Sequence, residues 1–213
     1  MLVTGIKSKP VYAPLAADVG GRYHLMLGLG VGRQPLCRVL AELQAAAPGA
    51  LAHTQVLYVP ENPSTGGAVT ANAADPALAP FNVPGLERVH LFDSGPELLA
   101  EFRRVLEGSL MGTRLYVAGP ESFIGIAMKI ALEFNLNKDE IRAEECGTLA
   151  RRVHCVHCRT ATEDVRTNIV RCGGCGRWLL VRDHYSRRLA AYMGVMVDAE
   201  APGELPEIKE VFL

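Results

Sequence analysis

The sequence predicts an α/β fold, a doubly wound parallel sheet followed by a small zinc ribbon. Three observations carry that expectation. Short β-prone runs alternate with amphipathic helix patterns from Tyr23 to Glu144. A glycine-rich turn, Gly28-Leu29-Gly30-Val31-Gly32, joins the first run to the first helix pattern. Two C-x-x-C pairs, Cys155/Cys158 and Cys172/Cys175, stand thirteen residues apart.

Residues 1–21 hold two prolines and a Gly-Gly pair, and are expected to form a loosely packed arm. Tyr23 to Leu27 has the length of a strand. After the glycine turn, Leu36, Val39, Leu40 and Leu43 recur at i, i+3, i+4, i+7, the stripe of a helix. Pro35 suits its first turn, where no N–H is needed. Thr54–Val59 concentrates β-branched and aromatic residues and reads as a second strand. Pro60 to Pro84 is rich in Pro, Gly, Ala, Ser and Asn, and is expected as a long loop. Val89–Phe92 is a third strand. Ser94 and Glu97 make a capping box for a helix carrying Leu98, Phe102, Val105 and Leu106. Leu115–Ala118 is a fourth strand, ended by Gly119-Pro120. The next helix is expected to bury Ile124, Met128, Ala131 and Leu132. Ile141–Glu144 closes the sheet.

The hydrophobic fraction of 49% and charged fraction of 21% are those of an ordinary globular protein. No apolar run approaches the ~18 residues of a membrane span, and no signal-peptide core follows the first lysines, so a cytoplasmic setting is expected. The net charge of −1 hides an asymmetry. From Arg151 to Arg188 there are nine arginines and three acids (Glu163, Asp164, Asp183), a surplus of six positive charges that leaves −7 on the rest of the chain. Two units of opposite sign are implied, the second with a basic face.

In a reducing compartment paired C-x-x-C units read as metal ligands. Each turn sets two thiolates about one tetrahedral edge apart, and Gly173, Gly174 and Gly176 are expected to supply positive φ values. In a unit of some forty residues with little core, the metal supplies folding free energy. Structural zinc on Cys155, Cys158, Cys172 and Cys175 is therefore expected. The alternatives are a rubredoxin-like iron site, whose insert is longer, and a redox disulfide pair. His154 and His157 flank the first pair as possible substitute ligands, but four thiolates already complete a site. Cys37 reads as a buried, inert thiol on an apolar helix position, and Cys146 as a free one. The arginine surplus also admits nucleic-acid binding, but Trp178 and Tyr185 do not interleave with basic residues as a stacking platform would. Arginine suits bidentate carboxylate contacts at a protein interface as well.

The stretch from Leu115 to Gly147 resembles the closing half of the nicotinamide-binding domain of ferredoxin reductases, in which a strand ends in Cys-Gly-Pro and the chain finishes on Glu-x-aromatic. Gly30, Gly32 and Pro35 match that family's Gly-x-Gly-x-x-Pro turn, and Gly119 and Pro120 its Gly-Pro. The likeness covers roughly residues 22–147 and implies NADPH as a possible cofactor at Gly30, Gly32, Pro35, Gly119 and Pro120. The chain departs from the pattern at Ala118, where the family has its cysteine, and at Cys146, where it has an aromatic; Glu144 matches the acid. Pro60-Glu61-Asn62-Pro63 replaces the basic residues that hold a 2′-phosphate. The 21 residues before the first strand are too few for a flavin-holding barrel.

The run Val181-Arg182-Asp183-His184-Tyr185-Ser186-Arg187-Arg188 and the later Ala191-Tyr192-Met193-Gly194-Val195, following the cysteine pairs, closely resemble the A subunit of the dimethylamine monooxygenase family. The resemblance implies an accessory subunit of an NADPH- and O2-dependent enzyme that demethylates dimethylamine to methylamine and formaldehyde. The partners it implies are a haem-dependent oxygenase subunit and a reductase carrying FMN and a 2Fe-2S cluster. Asp183, His184, Tyr185 and Arg187 are the candidate catalytic contacts. The expected organisation is an arm (1–21), a reductase-like domain (22–147), a zinc ribbon (151–182) and a C-terminal helix with a partner-binding tail (183–213), the helix placed by Leu189, Tyr192 and Met193. The alternatives are a stand-alone NAD(P)H-binding redox or sensing protein and a zinc-ribbon nucleic-acid binder.

Overall fold

A computed structural model describes residues 8–61, 69–70 and 78–213. The chain divides into two compact units, Tyr12–Gly147 and Thr148–Leu213, the second also taking in the described N-terminal residues 8–11. Among the described residues no helix is long and apolar enough to cross a membrane.

The first unit is built on β1 (Tyr23–Leu29), β2 (Thr54–Val59), β3 (Val69–Thr70), β4 (Arg88–Leu91), β5 (Thr113–Gly119) and β6 (Ile141–Glu145), with α1 (Arg33–Ala46), α2 (Gly95–Glu107) and α3 (Glu121–Glu133). The sheet order is β3-β4-β2-β1-β5-β6. Five strands run parallel, and β3 pairs antiparallel with β4 at the edge. With β1 central and successive strands added on either side, this is a doubly wound sheet whose switch point lies between β1 and β5. β1 is apolar on both faces because both are covered. Leu25 and Leu27 pack with α2 and α3 residues (Leu98, Phe102, Phe123, Ile124), while Met26 packs with α1 residues (Leu36, Val39, Leu40).

Several expectations are corrected here. The glycine turn begins later than Gly28, which stays in β1 in register with Tyr58 and Ala118. A Cβ on Gly28 would lie 2.8 Å from Leu36 Cδ1, so glycine at this point admits α1 onto the sheet. On α3 the buried stripe is Phe123, Ile124, Ala127, Ile130 and Ala131, and Leu132 faces solvent at 44% exposure. Ser94 caps α2 as expected, its hydroxyl accepting the Glu97 N–H. Most of the loop expected over Pro60–Pro84 lies outside the described residues.

The arm is not loose where it is described. Tyr12 and Leu15 pack into the two cores of the first unit. The Ala17 and Leu15 N–H groups donate to Glu42 and Glu144. Asp18 accepts from Arg114 Nε at 2.7 Å and pairs with Arg142 at 2.9 Å. Burial opposes ionisation of Asp18, but the Arg114 and Gly20 hydrogen bonds and the two guanidinium charges prevail and hold its carboxyl below the usual value. A depressed folded pKa means stability that is present above the unfolded value of about 3.9 and lost as pH falls through the folded one. Asp18→Asn is therefore expected to lower stability by roughly 1–2 kcal/mol at pH 7 and to flatten the acid limb of the stability curve, as read by urea unfolding between pH 3 and 7.

The second unit is a five-stranded sheet of β7 (Arg151–Cys155), β8 (Ala161–Val165), β9 (Ile169–Arg171), β10 (Trp178–Ser186) and β11 (Ala191–Met196), in the order β8-β7-β11-β10-β9. The helix expected around Leu189–Met193 is a strand. β10 runs on past Val181 to Ser186, turns, and pairs antiparallel with β11, which pairs parallel with β7. Tyr192 and Gly194 are buried while Met193 and Val195 are only half-buried, an alternation of period two that three apolar positions at helical spacing also mimic. The acidic tail is held by its own unit. Asn168 and Lys209 exchange hydrogen bonds, and the Val211 and Phe212 N–H groups donate to Arg166 O. Ser8 bonds to Asp183 O and to the Tyr185 backbone, beside an irregularity in β10.

Candidate metal centre

Two hairpins bring the four sulfurs together. β7 ends at Cys155 and turns through Cys158 into β8; β9 runs into Cys172 and turns through Cys175 into β10. The turns are the same structure made twice. In the first, the Cys155 N–H donates to Thr160 O and the Cys155 carbonyl accepts from Arg159 N–H; in the second, the Cys172 N–H donates to Arg177 O and the Cys172 carbonyl accepts from Gly176 N–H. The fourth residue after each leading cysteine is left-handed, Arg159 at φ 65° and Gly176 at φ 71°. Of the three glycines expected to supply positive φ, only Gly176 does so. Gly174 is needed for space, because a Cβ there would lie 2.3 Å from Thr160 Oγ1 and 3.1 Å from Cys158 Sγ.

The Cys155 and Cys175 sulfurs are 3.8 Å apart, those of Cys158 and Cys172 3.5 Å, and all four lie within 4.8 Å of one another. Thiolates held about 2.3 Å from a tetrahedral zinc ion stand about 3.8 Å from each other. The donor set fits zinc. His154 and His157 stay outside it. His154 lies half-buried on β7, its pKa lowered by burial and by the charges of Arg152, Arg159 and Arg188. Burial pushes the Cys155 thiol up to about 11 against the N–H groups of Cys158 and His157, whereas the Thr160 hydroxyl and N–H bring Cys158 down to about 6. The Arg177 N–H lowers Cys175. A bound cation would be held by all four sulfurs as thiolates, so metal uptake would release protons from this cluster.

Sequence reasoning missed Thr160, which both braces Cys158 and fills the space beside Gly174. It also missed Arg151. The Arg151 guanidinium lies between the rings of Tyr192 and Phe212, 4.0 and 3.8 Å from their centroids, and pairs with Asp183 at 2.7 Å. Of the candidate catalytic residues, Asp183 gives its carboxylate to Arg151. Tyr185 is buried edge-on against Tyr192. His184 is half-buried, and Arg187 is exposed in the β10–β11 turn.

The five residues matched to the nicotinamide turn gather at the carboxyl end of the first unit's sheet. Gly30–Gly32 form a single 3₁₀ turn, Pro35 is buried in the first turn of α1, Gly119 ends β5 and Pro120 caps α3. The Tyr58 hydroxyl donates to Gly30 O at 2.7 Å. Glu144 is engaged by the Leu15 N–H and by Arg38. Cys146 is pushed up to about 11 by burial and by the acids Glu144 and Glu145, and Cys37, raised by burial, donates to Pro80 O. Both thiols are half-buried, Cys37 less enclosed than expected, and these surroundings disfavour the thiolate.

Among solved structures, phthalate dioxygenase reductase aligns over 84% of this chain and 66% of its own, at 14% identity and a TM-score of 0.44. An intact type IV self-sufficient cytochrome P450 monooxygenase aligns over 87% and 22%, at 12% identity and 0.44. The heme-dependent oxidative N-demethylase delta subunit of Ectopseudomonas mendocina (strain ymp) is 35% identical over 111 residues, 52% of this chain and 63% of that one, so the match spans just under two thirds of the relative. The family described as dimethylamine monooxygenase subunit DmmA-like is represented by an N-terminal domain profile, which matches residues 4–141, and a C-terminal domain profile, which matches residues 152–195. With both domains matched in order along one polypeptide, the protein belongs to the dimethylamine monooxygenase subunit DmmA-like family.

Proposed function

We propose that this chain is an accessory subunit of a cytoplasmic, multisubunit dimethylamine monooxygenase, in which NADPH and O2 convert dimethylamine to methylamine and formaldehyde. Its task is to dock a flavin and iron–sulfur reductase against a haem-bearing oxygenase subunit. The observation that carries this is the ordered match of both family domains, joined to a relative that is itself one subunit of a heme-dependent N-demethylase. The surface supports it. Six of the nine arginines in the C-terminal unit (Arg159, Arg166, Arg171, Arg177, Arg187 and Arg188) are exposed, and a basic face of this kind steers and orients an acidic protein partner. The zinc site holds that face in shape and takes no part in the oxidation, and the tail between Asp198 and Lys209 is the further docking element.

Reconstitution tests it. Formaldehyde release from dimethylamine by the oxygenase and reductase subunits is expected to fall about tenfold or more without this chain, and the double change Arg187→Glu/Arg188→Glu is expected to raise the concentration of chain needed for half-maximal rate by a similar factor. Full turnover in its absence would exclude the docking role.

A further inference from the structure

We infer that the strand-end crevice of the first unit is closed to nicotinamide dinucleotides, and that the glycine turn exists to seal the sheet against its own loop. A doubly wound sheet takes ligands outside the carboxyl ends of its strands at the switch point, here between β1 and β5. Two residues of this chain pack against β5 there, and a third closes the adjoining β2 side. The Leu29 side chain spans it, its Cβ 3.5 Å from where a Cβ on Gly119 would stand and its Cδ1 3.7 Å from one on Gly95 at the start of α2. Gly32 lies directly on β5, where an added Cβ would be 2.3 Å from Ala118 O and 2.8 Å from its carbonyl carbon. Its lack of a side chain is thus accounted for by the neighbouring strand. Gly30, at φ 51°, has its carbonyl taken by the Tyr58 hydroxyl and the Glu61 Cγ 3.2 Å from its own Cβ position.

Charge acts in the same direction. Glu61, exposed just after β2, sets a carboxylate beside Gly30. A diphosphate approaching this rim meets side chains where it needs backbone N–H groups, and negative charge where it needs positive. The reductase-like fold therefore persists here without its ligand, and the reduced nicotinamide consumed by the reaction must be oxidised on another subunit.

The test uses the full, zinc-loaded chain. Calorimetric titration with NADPH and with NADH, each to about 1 mM, is expected to give no saturable heat, and neither nucleotide to move the melting temperature. In parallel, Gly32→Ala is expected to lower Tm by about 5 °C or more with no nucleotide present. Saturable binding of either nucleotide with Kd below about 1 mM overturns the inference, and so does a Gly32→Ala chain that melts like the parent. Either failure would leave the docking role standing, since the reconstitution above decides that separately.

Discussion

Removing the metal from the four-cysteine cluster is expected to unfold the C-terminal unit while the first unit stays folded. The packing explains why. Among the described residues the second unit has two small apolar clusters. One is Val153, Val165, Val181, Tyr185 and Tyr192; the other is Leu179 with Cys155 and Cys172, two of its three members belonging to the candidate metal site. Without an ion, that second cluster is a group of thiols that repel once ionised and bury poorly otherwise. Structural zinc contributes an apparent ~10–16 kcal/mol in small domains, far more than interiors of this size supply. Cys172→Ser removes a buried ligand and should have nearly the effect of a chelator. The molecule provides its own separate probes. The single tryptophan, Trp178, begins β10 two residues beyond the second turn, while the three α-helices among the described residues lie in the first unit. Chelation should shift Trp178 emission to the red with the helical circular dichroism signal retained. Unchanged emission after metal analysis has shown the ion to be gone would refute the structural role.

The second large effect is expected at Gly194. This residue lies on β11 between the hairpins, opposite Val181 on one side and Cys155 on the other. A Cβ there would come within 2.8 Å of Val153 Cγ1 and 3.0 Å of Leu179 Cδ1. Gly194 O also accepts the Val156 N–H, the first bond of the turn that carries Cys155 and Cys158. Crowding a packed interior typically costs 1–3 kcal/mol per added group, so Gly194→Ala should destabilise the unit by about 2 kcal/mol and Gly194→Val by more. The damage should reach the metal, with faster zinc transfer to a colorimetric chelator. Adding Leu179→Ala to Gly194→Ala should restore part of the loss by clearing the space, and a double variant that is merely additive would show that the contact is not the cause.

The features that could be anticipated were those whose signal is local. The strands of the first unit are short apolar runs between breakers, α2 begins at a serine with a glutamate three residues on, and the thiolate turns repeat one spacing. Other features depend on contacts distant in the chain. Leu189, Tyr192 and Met193 fit a helix as well as a strand, and only the parallel pairing of β11 with β7 selects the strand. The glycines carried information of two kinds that look alike in a sequence. Gly176 and Gly30 are left-handed, whereas Gly28, Gly32, Gly174 and Gly194 are small because something else occupies their space. Thr160 and Arg151 gave no recognisable pattern, since their roles depend on Gly174 and on Phe212 arriving from elsewhere.

Ser8 makes its hydrogen bonds to Tyr185, 177 positions away, so the second unit contains both an early and a late stretch of the polypeptide with the entire first unit interposed. On the ribosome, the opening residues must wait through the synthesis of a complete sheet before their partner emerges. A laboratory fragment starting at Thr148 would lack them altogether. Cutting this molecule at the boundary that its charge distribution advertises would therefore separate one of its halves from a piece of itself.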